Sequence, residues 1–253
     1  MRNSRDFLRF RDRRHFHCSW ELLAVGLFLT MAAGCGNIAA HGRNAEGVRL
    51  FQQARYQEAL QQFTEASYAD PANPDAYYNL AATCHRLGSQ QGERSYLDQA
   101  ENFYNQCLDR HPNHRDCYRG LAVLLAEQDR QDEAFRLVQG WADRQPMLAD
   151  PKIELARLCD EFGKKQQAKD HLVAALANEP NNARALAALG KIREEMGDHT
   201  QALADYRRSL YHDRFQPQVA SRMAALQSQM GQTISTTPSN GTRLVERDGD
   251  PRR

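Results

Sequence analysis

Two residue types recur along this chain in one register, and that recurrence constrains the fold more than any other feature. Alanines fall at Ala59, Ala100, Ala134, Ala168 and Ala202, spaced by 41, 34, 34 and 34 residues. Prolines at Pro71, Pro112, Pro146 and Pro180 repeat the 41, 34, 34 spacing, each 12 residues after its alanine. A fixed period of this size marks an array of small units, each of which buries its apolar face only against its neighbours.

Within one period the pattern is helix–turn–helix. Leu186, Leu189, Gly190 and Arg193 fall at helical spacing, and Gly197 follows as a stop. Ala202, Leu203, Tyr206 and Leu210 then form a second apolar stripe. Gly163 and Gly88 are expected to stop the corresponding helices in their units. Asn73-Pro74-Asp75 and Asn181-Asn182 are helix-start chemistry. Ala and Leu dominate the 41% of hydrophobic residues, which suits stacked helices better than a sheet rich in Val, Ile and Thr.

The run Ala76-Tyr77-Tyr78-Asn79-Leu80-Ala81, and Cys117-Tyr118-Arg119-Gly120-Leu121-Ala122 in the same slots of the next unit, resemble the first-helix motif of the 34-residue tetratricopeptide repeat. Small residues (Gly47, Ala81, Ala122, Ala156, Gly190) recur where two helices would cross closely, and Phe63, Tyr104, Val138, Leu172 and Tyr206 fill the complementary gaps. The resemblance implies an all-α protein, a right-handed α-solenoid of five units at 40–73, 74–114, 115–148, 149–182 and 183–216. Unit two carries seven extra residues within 88–95, between its helices. A further helix at 217–231 (Val219, Met223, Leu226) is expected to cover the open end of the stack, and the polar stretch 232–253 is expected to be disordered.

Ahead of the repeats, residues 1–20 are rich in arginine and lead into the apolar run Leu22–Ala33. A charged start, a short apolar core and small residues at a cleavage point describe an export signal over 1–34, and the run is too short to span a bilayer. Ala32-Ala33-Gly34-Cys35 resembles the bacterial lipobox, which implies lipidation at Cys35 and a short tether over 35–39. Arg13-Arg14-His15-Phe16 resembles a twin-arginine signal more weakly, so the export route stays open. The expected place is the bacterial envelope, anchored to a membrane and facing the periplasm. The absence of Asp after Cys35 favours the outer membrane slightly.

In the family that this chain resembles, first helices line a concave groove that takes a peptide or a helix. By helical phase, Val48, Phe51 and Gln52, then Tyr78, Asn79, His85 and Arg86, then Arg119, Val123 and Glu127, and finally Glu154, Arg157, Asp160, Lys191 and Glu194 would face it. Phe51, Tyr78, Asn79, Arg86, Arg119, Val123, Arg157 and Lys191 are the candidate binding residues, apolar and aromatic toward the N-terminus and mixed in charge beyond. Of the Lys/Asn clamp that chaperone-binding relatives use, Asn79 alone matches. The insert at 88–95 is a second candidate surface.

A formal net charge of +1 gives no electrostatic case for nucleic acid. No nucleophile with a base, paired carboxylates or phosphate loop stands out, so neither catalysis nor a cofactor is expected. Cys107, His111, His114 and Cys117 match no standard zinc spacing, and no metal is expected. A Cys107–Cys117 disulfide is possible in an oxidising compartment, but the leading expectation is buried, inert thiols. The expected function is a lipid-anchored adaptor that holds another protein. The alternatives are an assembly lipoprotein of a type IV pilus or outer-membrane machine, and a metal-binding or redox protein using the Cys107–Cys117 segment.

Overall fold

The structure, a computed structural model, describes residues 40–236. Residues 232–236, expected within the disordered stretch, instead continue the last helix. The export signal over 1–34, Cys35 with its tether and the rest of the polar stretch, 237–253, lie outside the described residues. These are all-helical, without strands. Helices pair as α1 (40–52) with α2 (Tyr56–Ala69) and α3 (Pro74–Gln91) with α4 (Arg94–Arg110), and α5 (Arg115–Glu127) and α6 (Gln131–Arg144) follow along the chain. They continue as α7 (Ala149–Glu161) with α8 (Lys165–Asn178) and α9 (Ala183–Glu195) with α10 (His199–His212), ending in α11 (Pro217–Thr236). The fold is therefore a series of tetratricopeptide-type hairpins. It divides into two compact units between Ala134 and Phe135, within α6. Among the described residues no helix is long and apolar enough to cross a membrane.

Both kinds of turn are built from local hydrogen bonds. Between the helices of a hairpin, one residue adopts a left-handed conformation: Ala54 and Asp129 at φ 59°, Gly163 at 71° and Gly197 at 87°. The next residue's N–H then reaches back to a carbonyl near the helix end, as in Arg55 to Leu50 (3.0 Å) and Lys164 to Cys159 (2.7 Å). Between hairpins, Asn73 Oδ1 accepts from the N–H of Asp75 and Asn182 Oδ1 from that of Ala185, capping α3 and α9.

Gly88 does not stop α3 as its register suggested. It lies buried inside the helix against Leu97 of α4, and Gly92, at φ 68°, makes the turn. The physical reason is the insert. α3 has 18 residues where α5, α7 and α9 have 13, and α4 has 17 where α2, α8 and α10 have 14. Seven residues make roughly two helical turns, so the extra length extends both helices without rotating their apolar faces.

Packing follows the small and large slots. In the N-terminal unit a Cβ on Gly47 would lie 2.5 Å from the ring of Phe63; in the C-terminal unit one on Gly190 would lie 2.6 Å from the ring of Tyr206. Ala59, Ala81, Ala100 and Ala122 are fully buried in the N-terminal unit. The core of the C-terminal unit runs through Ile153, Ala156, Leu172, Ala175 and Leu189. Val219, Met223, Leu226 and Met230 of α11 lay an apolar stripe on Ala202, Leu203 and Tyr206 of α10, which keeps that face of the last hairpin out of water.

Candidate binding surfaces of the first helices

The two units treat their first-helix faces differently. In the N-terminal unit, α1, α3 and α5 carry the candidate residues. Phe51 packs edge-on against Tyr56, with ring centroids 5.1 Å apart. Asn79 Nδ2 donates to Asn44 Oδ1 at 2.8 Å, joining α3 to α1. Tyr78 is partly exposed, stacked on His114 at 5.6 Å and 6.3 Å from the ring of Tyr104. The charges of Asp116, Arg119 and Arg115 all act on its phenol. Val123 is partly exposed on α5, and Arg86 is exposed on α3. His85 Nε2 meets Glu127 Oε2 at 2.8 Å, linking α3 to α5. The structure thus gathers Tyr78, His85 and Glu127 around the buried ring of Tyr104, a residue that the sequence placed only in the core.

In the C-terminal unit the charges are tied to one another. The buried Glu154 accepts from Arg157 Nε at 3.1 Å and from Arg184 Nη2 at 2.9 Å. Arg157 also pairs with Glu161, and Arg184 with Asp150. Lys191 donates to Asp160 Oδ2 at 2.6 Å, and Lys165 bridges Asp160 to Glu195. Burial raises the Asp160 carboxyl, but the two ammonium groups outweigh it and hold the pKa below its ordinary value. Arg157 and Lys191, expected to project toward a ligand, are thus engaged within the fold. A pair missed from the sequence, Arg193 and Asp205, meets at 2.5 Å; there burial pushes the Asp205 carboxyl up, with Arg193 opposing.

The cysteines also correct the leading expectation. Cys107 and Cys117 are not separate thiols; they form a disulfide with Cα atoms 6.6 Å apart. The last turn of α4 and the first turn of α5 face each other across His111–His114, so both residues point into the same buried seam. The pair's spacing of ten residues, across the inter-repeat turn, was the available signal. His114, Cys107 and Cys117 place their ligand atoms within 4.8 Å of one another. Yet the sulfurs are bonded to each other, and both His114 nitrogens are used: Nδ1 accepts from the N–H of Cys117 at 3.2 Å, and Nε2 meets Asp75 Oδ1 at 3.0 Å. The imidazole acts as the N-cap of α5, with its proton on Nε2. His111, the fourth residue of the zinc alternative, is exposed. Cys84 and Cys159 are buried free thiols, and burial pushes Cys84 up to about 12.

At the tip of the lengthened hairpin, Ser89, Gly92, Arg94, Glu127 and Arg130 line an open cleft of about 610 Å³. A second cleft, of about 540 Å³ in the C-terminal unit, is lined by Phe135, Gln139, Leu155, Cys159, Lys164 and His171.

Family comparisons match this architecture. A model described as TPR repeat covers residues 47–88, and one described as tetratricopeptide repeat covers 97–147 and 153–219. The human Protein O-mannosyl-transferase TMTC3 is 25% identical over 197 residues, 74% of this chain and 21% of that protein. Cellulose synthase operon protein C of Pseudomonas fluorescens is 25% identical over 196 residues, 78% of this chain and 12% of that protein. The chain therefore spans about a fifth or less of these relatives, and the likeness to a transferase is distant. The crystal structure of a thermophilic TPR protein of Thermus thermophilus covers 75% of this chain and 100% of its own, with 24% identity and a TM-score of 0.56, a likeness of fold. Such repeats are typically non-enzymatic scaffolds.

Proposed function

Since the chain belongs to the tetratricopeptide repeat family, we propose that it is a non-catalytic adaptor, held at a bacterial membrane through lipidated Cys35, that binds a segment of another protein on the first-helix face of its N-terminal unit. The repeat fold supports a protein-binding scaffold. The observation that carries the choice of surface is the contrast between the units. Charges on the first helices of the C-terminal unit are largely neutralised by their neighbours, whereas the N-terminal unit presents Tyr78, Val123 and Val48 with accessible apolar area. Aromatic residues supply much of the binding energy in protein interfaces because they bury large areas with few torsions to freeze.

Export is supported by two independent features. One is the lipobox-like Ala32–Cys35. The other is the Cys107–Cys117 disulfide, a bond that persists in oxidising compartments and is rare in the cytosol.

Crosslinking in cells producing the tagged full-length protein, followed by capture and mass spectrometry, tests the binding surface. A dominant partner lost on the double substitution Tyr78→Ala, Arg119→Ala is the expected result; undiminished capture would move the surface elsewhere. Fractionation of a Cys35→Ser variant tests the anchor, which is refuted if the variant still partitions wholly with membranes.

A further inference from the structure

One slot in the repeat holds a tyrosine twice, and the two hydroxyls are treated differently. Tyr104 and Tyr206 lie three periods of 34 residues apart. Both rings are buried, Tyr104 at 2% exposure and Tyr206 at 0%. In the C-terminal unit the Tyr206 hydroxyl donates to Glu194 Oε2 at 2.6 Å, and Arg222 Nε donates to the same oxygen at 3.0 Å. The ion pair from α9 and α11 covers the phenol.

In the N-terminal unit both covering residues are changed. His85 stands where Glu194 stands, and Gly120 where Arg222 stands. His85 turns its Nε2 to Glu127 and sets its ring edge-on to Tyr104, with centroids 6.4 Å apart. Gly120 offers no side chain at all, and a Cβ there would lie 2.5 Å from the Tyr104 hydroxyl. Among the described residues none hydrogen-bonds that hydroxyl. The phenol therefore opens on the first-helix face between α3 and α5, beside the Tyr78 ring, with a donor left to satisfy.

The hydroxyl is not among the buried polar atoms left without a partner, so it can donate outward, and the molecule itself shows which acceptor this slot accommodates. We propose that the notch over Tyr104 is a subsite for an acidic side chain, Asp or Glu, of a bound protein segment, which takes from Tyr104 the hydrogen bond that Glu194 takes from Tyr206. Glu127, the carboxylate whose charge acts on the Tyr104 phenol, is held by His85 and Ser89, and at the neighbouring Tyr78 phenol Asp116, paired with Arg115, acts together with Arg119 and Arg115. This inference rests on the scaffold reading and names the partner chemistry of its surface.

Random dodecapeptides displayed on phage, selected against the full-length protein, test it. The expected result is a set of binders sharing one Asp or Glu, each weakened at least tenfold when that residue becomes Asn or Gln. Tyr104→Phe should bind the acidic and amide peptides equally. His85→Glu supplies an internal carboxylate and should abolish the preference by occupying the notch; it decides the matter if thermal melting shows that Tyr104→Phe is unfolded. Binders without a shared acid, acidic binders indifferent to both substitutions, or no binders at all would overturn the subsite. The scaffold reading is judged separately by partner crosslinking: a partner captured equally by wild type, Tyr104→Phe and His85→Glu leaves the adaptor standing and removes the acidic subsite.

Discussion

Cys107, in the last turn of α4, is bonded to Cys117, in the first turn of α5, so a covalent link crosses the turn between the second and third hairpins. In a repeat array stability is approximately a sum over units and the interfaces between neighbours, and this link reinforces one interface. Closing a loop of about ten residues contributes roughly 2–3 kcal/mol. Reduction, or Cys117→Ser, is expected to lower stability by about that amount in urea unfolding followed by circular dichroism. Without reductant, alkylation and mass spectrometry should label Cys84 and Cys159 only after unfolding. Labelling of Cys107 and Cys117 in the unfolded, unreduced protein would rule the disulfide out.

Ala54 and Asp129 occupy left-handed turns where Gly163 and Gly197 stand in other repeats. A side chain in that region crowds its own carbonyl at a cost of about 1–2 kcal/mol. Ala54→Gly and Asp129→Gly should each stabilise the N-terminal unit by about 1 kcal/mol, less the extra entropy that glycine gains on unfolding. Thermal melts would show a rise, and a fall in both variants would contradict the turn geometry.

Gly190 lies within α9, where alanine would ordinarily gain about 1 kcal/mol of helix propensity. The Tyr206 ring, 2.6 Å from the added Cβ and fully buried, has no room to retreat. Overpacking of this kind costs about 1–3 kcal/mol. Gly190→Ala is expected to be net destabilising in chemical denaturation, and an unchanged midpoint would mean that the ring can shift.

Asp160 has a carboxyl held below its ordinary pKa of 3.8 in the folded protein by Lys165 and Lys191. Its contribution to stability is therefore present above the unfolded value and is lost as pH falls below it. Comparing wild type with Asp160→Asn from about pH 6 to about 2.5, the gap in stability should be largest near neutrality and close as the carboxyl protonates. A gap independent of pH would exclude the ion-pair origin.

The helices and the slots where small residues meet large ones were legible because they depend on residues three, four and 34 apart. Where two glycines competed, the sequence misled. Gly88 sits in the stop register, but an insert of two helical turns carries the pattern through it, and Leu97 packs against it. The charged first-helix residues were legible as polar but not as occupied. Lys191 finds Asp160 31 residues away, and Arg184 finds Glu154 30 away, in the preceding repeat. No local pattern reveals such a partner.

The sequence by itself determined the period, the pairing of helices and the residues that cap them, since these rest on hydrogen bonds and apolar contacts between near neighbours in the chain. Only the tertiary structure decided that Cys107 meets Cys117, that Arg157 and Lys191 are engaged, and that Tyr104 ends without an acceptor while Tyr206 has one. Each of these depends on the rotation and depth at which successive helices pack. A shift of a few ångströms in that packing makes or breaks a hydrogen bond while leaving the apolar pattern intact.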